Sequence, residues 1–412
     1  MENFFELSKT PMMPDLVKIL NPYGIDDGGQ VFHYGDNFYR GINPARAELV
    51  FSYFTSGLIS ELQNKNLIPH TEIVPHILPP YAFILQHEKI KNVSYAHEWT
   101  FTMLKDAALM CVDVMEILFK YGFNSKDAHT GNILFKDNKP VWVDITSFQK
   151  APEYSWSILE FYKQIYQPLE IMSIHPPTAR KILKNYIPDW VECFYRNLIC
   201  KFGVSRGKYF YRAINRYYNI FKRQGNVTNP EDFSRGLQMY RKKIQSLHLN
   251  INTQYHNNWL DNNKQIILSD STKRFLKILN IIKSLPIKSV VEFAANQGMF
   301  SAMMATQNNI EKVIATDYDE NAADSMYKLL SARKLSDICV KKIFPMRIDF
   351  TESPTENLIA RIKSDAVAAL AMTHHILLSQ RMQIENMFER FSRFTNRFIY
   401  GKIFSDSVAI AA

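Results

Sequence analysis

The chain has 412 residues, of which 46% are apolar and 13% aromatic, with a formal net charge of +9. That is ample for two hydrophobic cores and fits a soluble, two-domain protein without internal repeats or low-complexity tracts. No run reaches the eighteen or so apolar residues a membrane-spanning helix needs, and Cys111, Cys193, Cys200 and Cys339 are too scattered for a disulfide framework or a zinc site, which predicts a reducing, cytoplasmic setting.

Met1 to Pro14 mixes acidic and polar residues with apolar ones and does not read as a signal peptide. Turn signals at Asp26-Asp-Gly-Gly29 and Tyr34-Gly-Asp36 separate short alternating runs, which predicts a β-hairpin. A helix is expected from Pro44 to about Asn64, followed by the Pro-rich passage Pro69 to Pro80 and the apolar run Tyr81 to Leu85. From Glu98 to Gly122 the apolar residues Phe101, Leu104, Ala108, Cys111, Val112, Met115 and Leu118 fall at helical spacing, so this helix reads as core.

Directly after it stand Asp127, Asn132 five residues on, a predicted hairpin, and Asp144 after an apolar strand. This spacing resembles the catalytic loop of protein kinases. There the first Asp accepts the proton of the acceptor hydroxyl, and the Asn and second Asp hold magnesium. The bland reading is that Asp127, His129 and Asn132 cap and shape a turn, as Asp and Asn often do. No His-Arg precedes Asp127, and Asp144-Ile-Thr stands where kinases carry Asp-Phe-Gly. Gly28-Gly29 is a lone turn rather than a Gly-rich loop, and Arg40 stands where an ATP-binding lysine belongs, with Glu48 or Glu61 as its candidate partner. Residues 1–190 are therefore expected to be a kinase-like α+β domain in fold; Mg-ATP, with the metal on Asn132 and Asp144, follows only if the site is active.

From Arg196 to Lys243 there are twelve cations against the acids Glu231 and Asp232, so the whole positive balance of the chain is local to this segment. Phe210, Ile214, Tyr217 and Phe221 lie at helical spacing with Arg212 and Arg216 on another face. Residues 191–265 thus read as a basic helical segment and linker. It is either a solvated helix across the domain boundary or a contact for an anionic membrane surface or lipid-linked glycan. Nucleic acid is disfavoured, because no reading module accompanies the charge.

In residues 266–412 the run Ser289-Val-Val-Glu292-Phe reads as a buried strand, followed by the small-residue turn Ala294-Ala-Asn296-Gln-Gly298 and a helix starting near Met299. A second apolar run ends on Asp317, a third on Asp349-Phe350, and a fourth, Asp365 to Met372, on Thr373-His374-His375. Strands that end in chemistry-bearing residues are the mark of a doubly wound parallel sheet, whose ligands lie beyond the carboxyl ends of its strands. Glu292 stands where a dinucleotide site would need its first glycine. A carboxylate there repels phosphate and suits a cationic ligand.

The turn resembles motif I of class I S-adenosylmethionine-dependent methyltransferases, with Ala294 in place of the first glycine. With Glu98-Trp99, Leu104 to Leu109, Lys126 to Ala128, Asn132, Pro140-Val141 and Asp144 to Phe148, the order of motifs is similar to that of the class I methyltransferases of the host-specific nodulation-protein type. The resemblance implies a Rossmann-like α/β methyltransferase domain behind the kinase-like one. Glu292, Ala294, Asn296 and Gly298 would hold the cofactor with Asp317 on the ribose, and Asp349 and Phe350 on the adenine. His374 or His375 would remove the proton of an oxygen acceptor. By analogy with fused methyltransferase and kinase-like proteins that terminate polysaccharides, the acceptor is expected to be a saccharide hydroxyl or another small hydroxyl compound. Such domains continue past the fifth strand, here Arg397 to Phe404, with a helix and two antiparallel strands. The sheet is therefore expected to lack its last two strands, leaving a truncated, non-catalytic binding protein as one alternative reading and a bifunctional kinase-methyltransferase of polysaccharide or glycolipid as the other.

Overall fold

The computed structural model describes residues 10–20, 26–150, 155–185, 230–251, 270–370, 372, 376–377, 381–403 and 406–411. In the N-terminal half, β1 (Lys18–Ile19), β2 (Gly29–Tyr34) and β3 (Asn37–Ile42) form a meander. Its second turn is tight because Gly35, at φ +59°, takes the left-handed conformation a two-residue hairpin requires. Helices α1 (Pro44–Thr55) and α2 (Leu58–Asn64) follow, then β4 (Thr71–Val74) and β5 (Phe83–His87). The sheet is antiparallel, in the order β1-β2-β3-β5-β4.

Helix α3 (Phe101–Lys120) is capped by Thr100, whose Oγ1 accepts the N–H of Met103. Its buried apolar side chains run from Phe101 to Leu118 and lie on several faces, as expected of a helix enclosed by the fold. After it come β6 (Phe123–Ser125) and the hairpin β7 (Ile133–Lys136) and β8 (Lys139–Trp142). That hairpin turns on Asp137 and Asn138, both at positive φ. Strand β9 (Phe148–Lys150) pairs with β6, and α4 (Ser155–Phe161), α5 (Gln167–Ile174) and α6 (Pro176–Asn185) complete this half.

Helix α7 (Pro230–Ser246) lies within the stretch expected to be a basic helical segment and is packed on α3. Phe233 packs at a tilt against Phe119 with ring centroids 5.4 Å apart, and Arg241 pairs with Asp113 and Glu116, each at 2.7 Å. Residues 196–229, which carry most of the basic segment, lie outside the described residues.

The C-terminal half contains α8 (Asp270–Ser284), β10 (Ser289–Phe293), α9 (Met299–Ala305), β11 (Lys312–Asp317), α10 (Glu320–Ser331), α11 (Asp337–Lys342), β12 (Ile343–Arg347), α12 (Glu356–Ile362), β13 (Ser364–Ala369), α13 (Ile384–Ser392), β14 (Thr395–Ile403) and β15 (Asp406–Ala411). The sheet order is β12-β11-β10-β13-β14-β15, parallel except for the last strand. Strand β15 corrects the expectation that both closing strands are missing. Its register with β14 runs from Ile403 opposite Asp406 to Phe398 opposite Ala411, and it covers the edge β14 would otherwise expose.

The two halves share one apolar core. Phe135 of the β7–β8 hairpin lies between Trp99 and Tyr327, with ring centroids 5.1 and 6.0 Å away. Several polar side chains pair across the junction. Asp324, 1% exposed, accepts both the N–H and the hydroxyl of Thr102, at 2.6 and 2.8 Å. Tyr327 donates to Asp106 at 2.8 Å, and Asn138 donates to the carbonyls of Val340 and Ile343. Buried groups that find partners across the junction fix how the halves meet.

Candidate functional site

The tips of β10 and β11 are sewn together by their own polar groups. Thr316 donates its hydroxyl to the carbonyl of Glu292 at 2.9 Å, and the N–H of Ala295 returns to the carbonyl of Thr316 at 2.9 Å. The carboxylate of Asp317 accepts the N–H of Asn296 at 2.7 Å on one oxygen and that of Asp319 at 2.8 Å on the other. Between the strand and α9 the chain turns through Ala294 at φ +55°, Asn296 at +52° and Gly298 at +79°. A Cβ on Gly298 would stand 2.6 Å from the sulfur of Met326, so the last of these positions needs glycine on two counts.

Glu292 is 4% exposed and accepts a short hydrogen bond from the hydroxyl of Ser301 on α9. Burial pushes its carboxyl up to about 8, with Asp317 adding to the rise. Asp317 is 8% exposed and is pushed up to about 6 by burial, against the lowering effect of its backbone N–H partners. The site therefore holds two buried acids whose charged forms are costly without a cation between them. A ligand carrying an ammonium or sulfonium would relieve that cost, whereas a phosphate would add to it.

Both acids bind protons more tightly in the folded chain than at their ordinary values of 4.5 and 3.8. Their stabilising contribution is thus complete below that ordinary range and is lost as pH rises through about 6 and then about 8. The expected result is a melting temperature several degrees higher at pH 6 than at pH 8.5 for the ligand-free chain. Differential scanning calorimetry across that range checks it, with Glu292→Gln expected to flatten the slope.

Asp349, just past β12, is half-buried and its Oδ1 accepts the N–H and hydroxyl of Thr351, at 2.9 and 2.6 Å. Phe350 is 7% exposed, with its ring 5.0 Å from Phe293 and 4.7 Å from Phe391, so it belongs to an aromatic cluster of the core. His374 and His375 lie outside the described residues. Tyr318, which the sequence reading did not single out, is 53% exposed immediately after Asp317, with the guanidinium of Arg347 5.6 Å from its ring. The available signal was an aromatic directly following a strand-terminal acid.

In the N-terminal half, Asn132 donates its amide to the carbonyl of Asp127 at 2.9 Å, and Asp144 accepts the N–H and hydroxyl of Thr146 at 3.0 and 2.6 Å. Arg40, 7% exposed, lies 3.2 Å from Asp144 and 2.7 Å from Asp26, and also donates to the Thr146 hydroxyl. Neither proposed glutamate is its described partner, since Glu61 instead takes Lys120 and Tyr121 of the α3 end at 2.6 and 2.9 Å. A Cβ on Gly28 would stand 2.5 Å from that of Thr146, so the Asp26–Gly29 loop rests directly on the segment after Asp144. The guanidinium of Arg40 thus already neutralises Asp144 at Oδ1, where a divalent ion would compete with it.

Asp127, His129 and Glu160 bring their ligand atoms within 4.8 Å of one another. However, His129 Nδ1 accepts the N–H of Gly131 at 3.1 Å, which leaves Nε2 as the protonated nitrogen of a neutral ring and unsuited to a metal. Burial and the neighbouring Asp127 push Glu160 up to about 7, so this group is suited to sharing protons. A surface cavity of about 520 Å³, lined by Gln63, Ile68, His70 and Lys136 among others, touches none of the predicted residues. Among the described residues no helix is long and apolar enough to cross a membrane.

No protein-family model matches the chain. The nodulation protein NoeA of Rhizobium meliloti (strain 1021) is 21% identical over an alignment 390 positions long that covers 87% of this chain and 79% of that protein. Among solved structures, the methyltransferase domain of bacterial CtHen1-C aligns at 15% identity and a TM-score of 0.26, over 32% of this chain and 64% of that one. The N-terminal domain of EvdMO1, solved in the presence of SAH and D-fucose, aligns at 12% identity and a TM-score of 0.28, over 36% and 58%. A SAM-dependent methyltransferase from Geobacter sulfurreducens, in complex with S-adenosyl-L-homocysteine, aligns at 11% and 0.25, over 31% and 47%. The chain thus spans less than two thirds of each of these solved structures.

Proposed function

We propose that the C-terminal half transfers a methyl group from S-adenosylmethionine to a hydroxyl of a saccharide or another small acceptor. The observation that carries this reading is the pair of buried acids, Glu292 and Asp317, at adjoining tips of a parallel sheet and joined through the 294–298 turn. When bound, the cofactor supplies an electrophilic methyl on a sulfonium sulfur. Glu292 offers its carboxylate to the cationic methionine end, Asp317 accepts from the ribose hydroxyls, and Asp349 accepts from the adenine amine. Phe350 backs that end from within the core. Transfer needs donor and acceptor held in line more than it needs further chemistry from the protein. An oxygen acceptor must also lose a proton, the role assigned to His374 or His375.

The N-terminal half is read as kinase-like in arrangement and without phosphotransfer. Support for the arrangement is the β1-β2-β3-β5-β4 order with a helix pair between the third and fourth strands, followed by Asp127, Asn132 and Asp144 on loops. Against a bifunctional enzyme, Arg40 is already committed to Asp26, Asp144 and Thr146. The test is transfer of labelled methyl to a panel of saccharides, with Mg-ATP titrated in parallel. Labelled product and no heat with Mg-ATP are expected. Saturable Mg-ATP binding would overturn the second part, and absence of label on every acceptor together with absence of cofactor binding would overturn the first.

A further inference from the structure

We infer that Arg180, contributed by α6 of the N-terminal half, is a positioning residue for the cofactor site of the C-terminal sheet. The inference rests on the methyltransferase reading above. Arg180 is 8% exposed and all three of its nitrogens are engaged. Its Nη1 donates to the carbonyls of His97 and Trp99 at 2.7 and 2.9 Å, its Nε donates to Glu320 Oε1 at 2.7 Å, and its Nη2 donates to Glu320 Oε2.

Glu320 opens α10, three residues after Asp317, and its Oε1 also lies 3.1 Å from Nε of Arg347. Arg347 ends β12 two residues before Asp349 and donates to the carbonyl of Tyr318 at 3.1 Å. The next residue, Ile348, donates its N–H to the carbonyl of Asp317 at 3.0 Å. A continuous path thus runs from the backbone at 97–99 through Arg180, Glu320 and Arg347 to Tyr318. It ends between the two strand tips that carry Asp317 and Asp349.

The planar fork of Arg180 fixes both oxygens of Glu320 in one orientation, which a single-point cation cannot do. Without it, Glu320 keeps only Arg347, and the spacing of the two tips loses its outer support. The methionine end at Glu292 is not on this path, so the effect should fall on binding of the nucleoside part. Arg361 provides an internal comparison. It also bridges the halves, donating to Glu98 at 3.0 Å and to the carbonyl of Val93 at 2.7 Å, but from α12 and without touching either strand tip.

The test measures KM for S-adenosylmethionine, kcat and the Kd of S-adenosylhomocysteine in full-length Arg180→Met, Arg180→Lys and Arg361→Met. Arg180→Met is expected to raise KM and Kd about tenfold, within the usual range for coupling between sites. Its kcat at saturation should stay within about twofold of wild type, and Arg180→Lys should recover part of the loss. Arg361→Met should lower the melting temperature comparably and leave KM and Kd near wild type. Should Arg180→Met not fold, Glu320→Gln breaks the same path from its other end and should show the same split. Equal shifts in KM for Arg180→Met and Arg361→Met, or unchanged Kd in Arg180→Met beside tight wild-type binding, would overturn this inference alone. Absence of S-adenosylhomocysteine binding by the wild type would overturn it together with the reading it rests on.

Discussion

Glu292→Gln is expected to abolish useful binding of S-adenosylmethionine while making the ligand-free chain more stable at pH 8. The two effects have one cause. Burial holds the Glu292 carboxyl up at about 8, so ionising it inside the fold is costly. Glutamine keeps the shape and can still accept from Ser301, and it removes that cost. The gain is on the order of 1–3 kcal/mol at pH 8, after allowing for the amide hydrogens it adds to a closed site. In the complex the balance reverses, because the cationic end of the ligand loses its counter-charge. Leaving one member of a buried ion pair uncompensated costs about 3–5 kcal/mol, or more than about a hundredfold in Kd. Calorimetric melting and ligand titration on the same sample check both signs. A variant that binds as tightly as wild type would remove Glu292 from the site.

Asp317→Ala is expected to weaken binding about a hundredfold and to change stability by at most about 3 kcal/mol at pH 7. Two terms of opposite sign set the stability. Removing the carboxylate leaves the N–H groups of Asn296 and Asp319 without their acceptor, at about 1–3 kcal/mol each. It also removes an acid held at about 6, whose ionised form is penalised at pH 7 by about 3 kcal/mol relative to its ordinary value. These partly cancel, whereas the proposed bonds to ribose would have no such offset. Urea unfolding and S-adenosylhomocysteine titration separate the two. Loss of several kcal/mol of stability with unchanged affinity would make Asp317 a turn-shaping residue only.

What was legible in the sequence was local. The helix at 101–120, the hairpin at 133–142 and the parallel strands ending on Phe293 and Asp317 carry their pattern in apolar periodicity and turn residues, and they form as expected, whereas the third strand stops at Arg347, short of Asp349-Phe350, and the fourth at Ala369, short of Met372. Pairings distant along the chain left no such trace. Arg180 and Glu320 are 140 positions apart, and nothing near either residue marks a partner. Arg40 was noticed as a departure from lysine, but its commitment to Asp26 and Asp144 depends on how a loop folds down on Thr146. Strand β15 was missed because six residues give too little alternation to compete with a reading of an unpaired tail. Phe350 shows a further limit. A residue just past a strand can face the ligand or the core, and only the packing against Phe293 and Phe391 places it in the core.

The most direct measurement is titration of the full chain with S-adenosylmethionine at pH 7 in buffers of low and high ionisation enthalpy. A buried acid held near 8 must ionise when it meets the cationic ligand, so saturable binding should release close to one proton per ligand. Heat that is the same in both buffers, or no heat at any pH, would contradict the assignment of Glu292 and Asp317 as the grip on the cofactor.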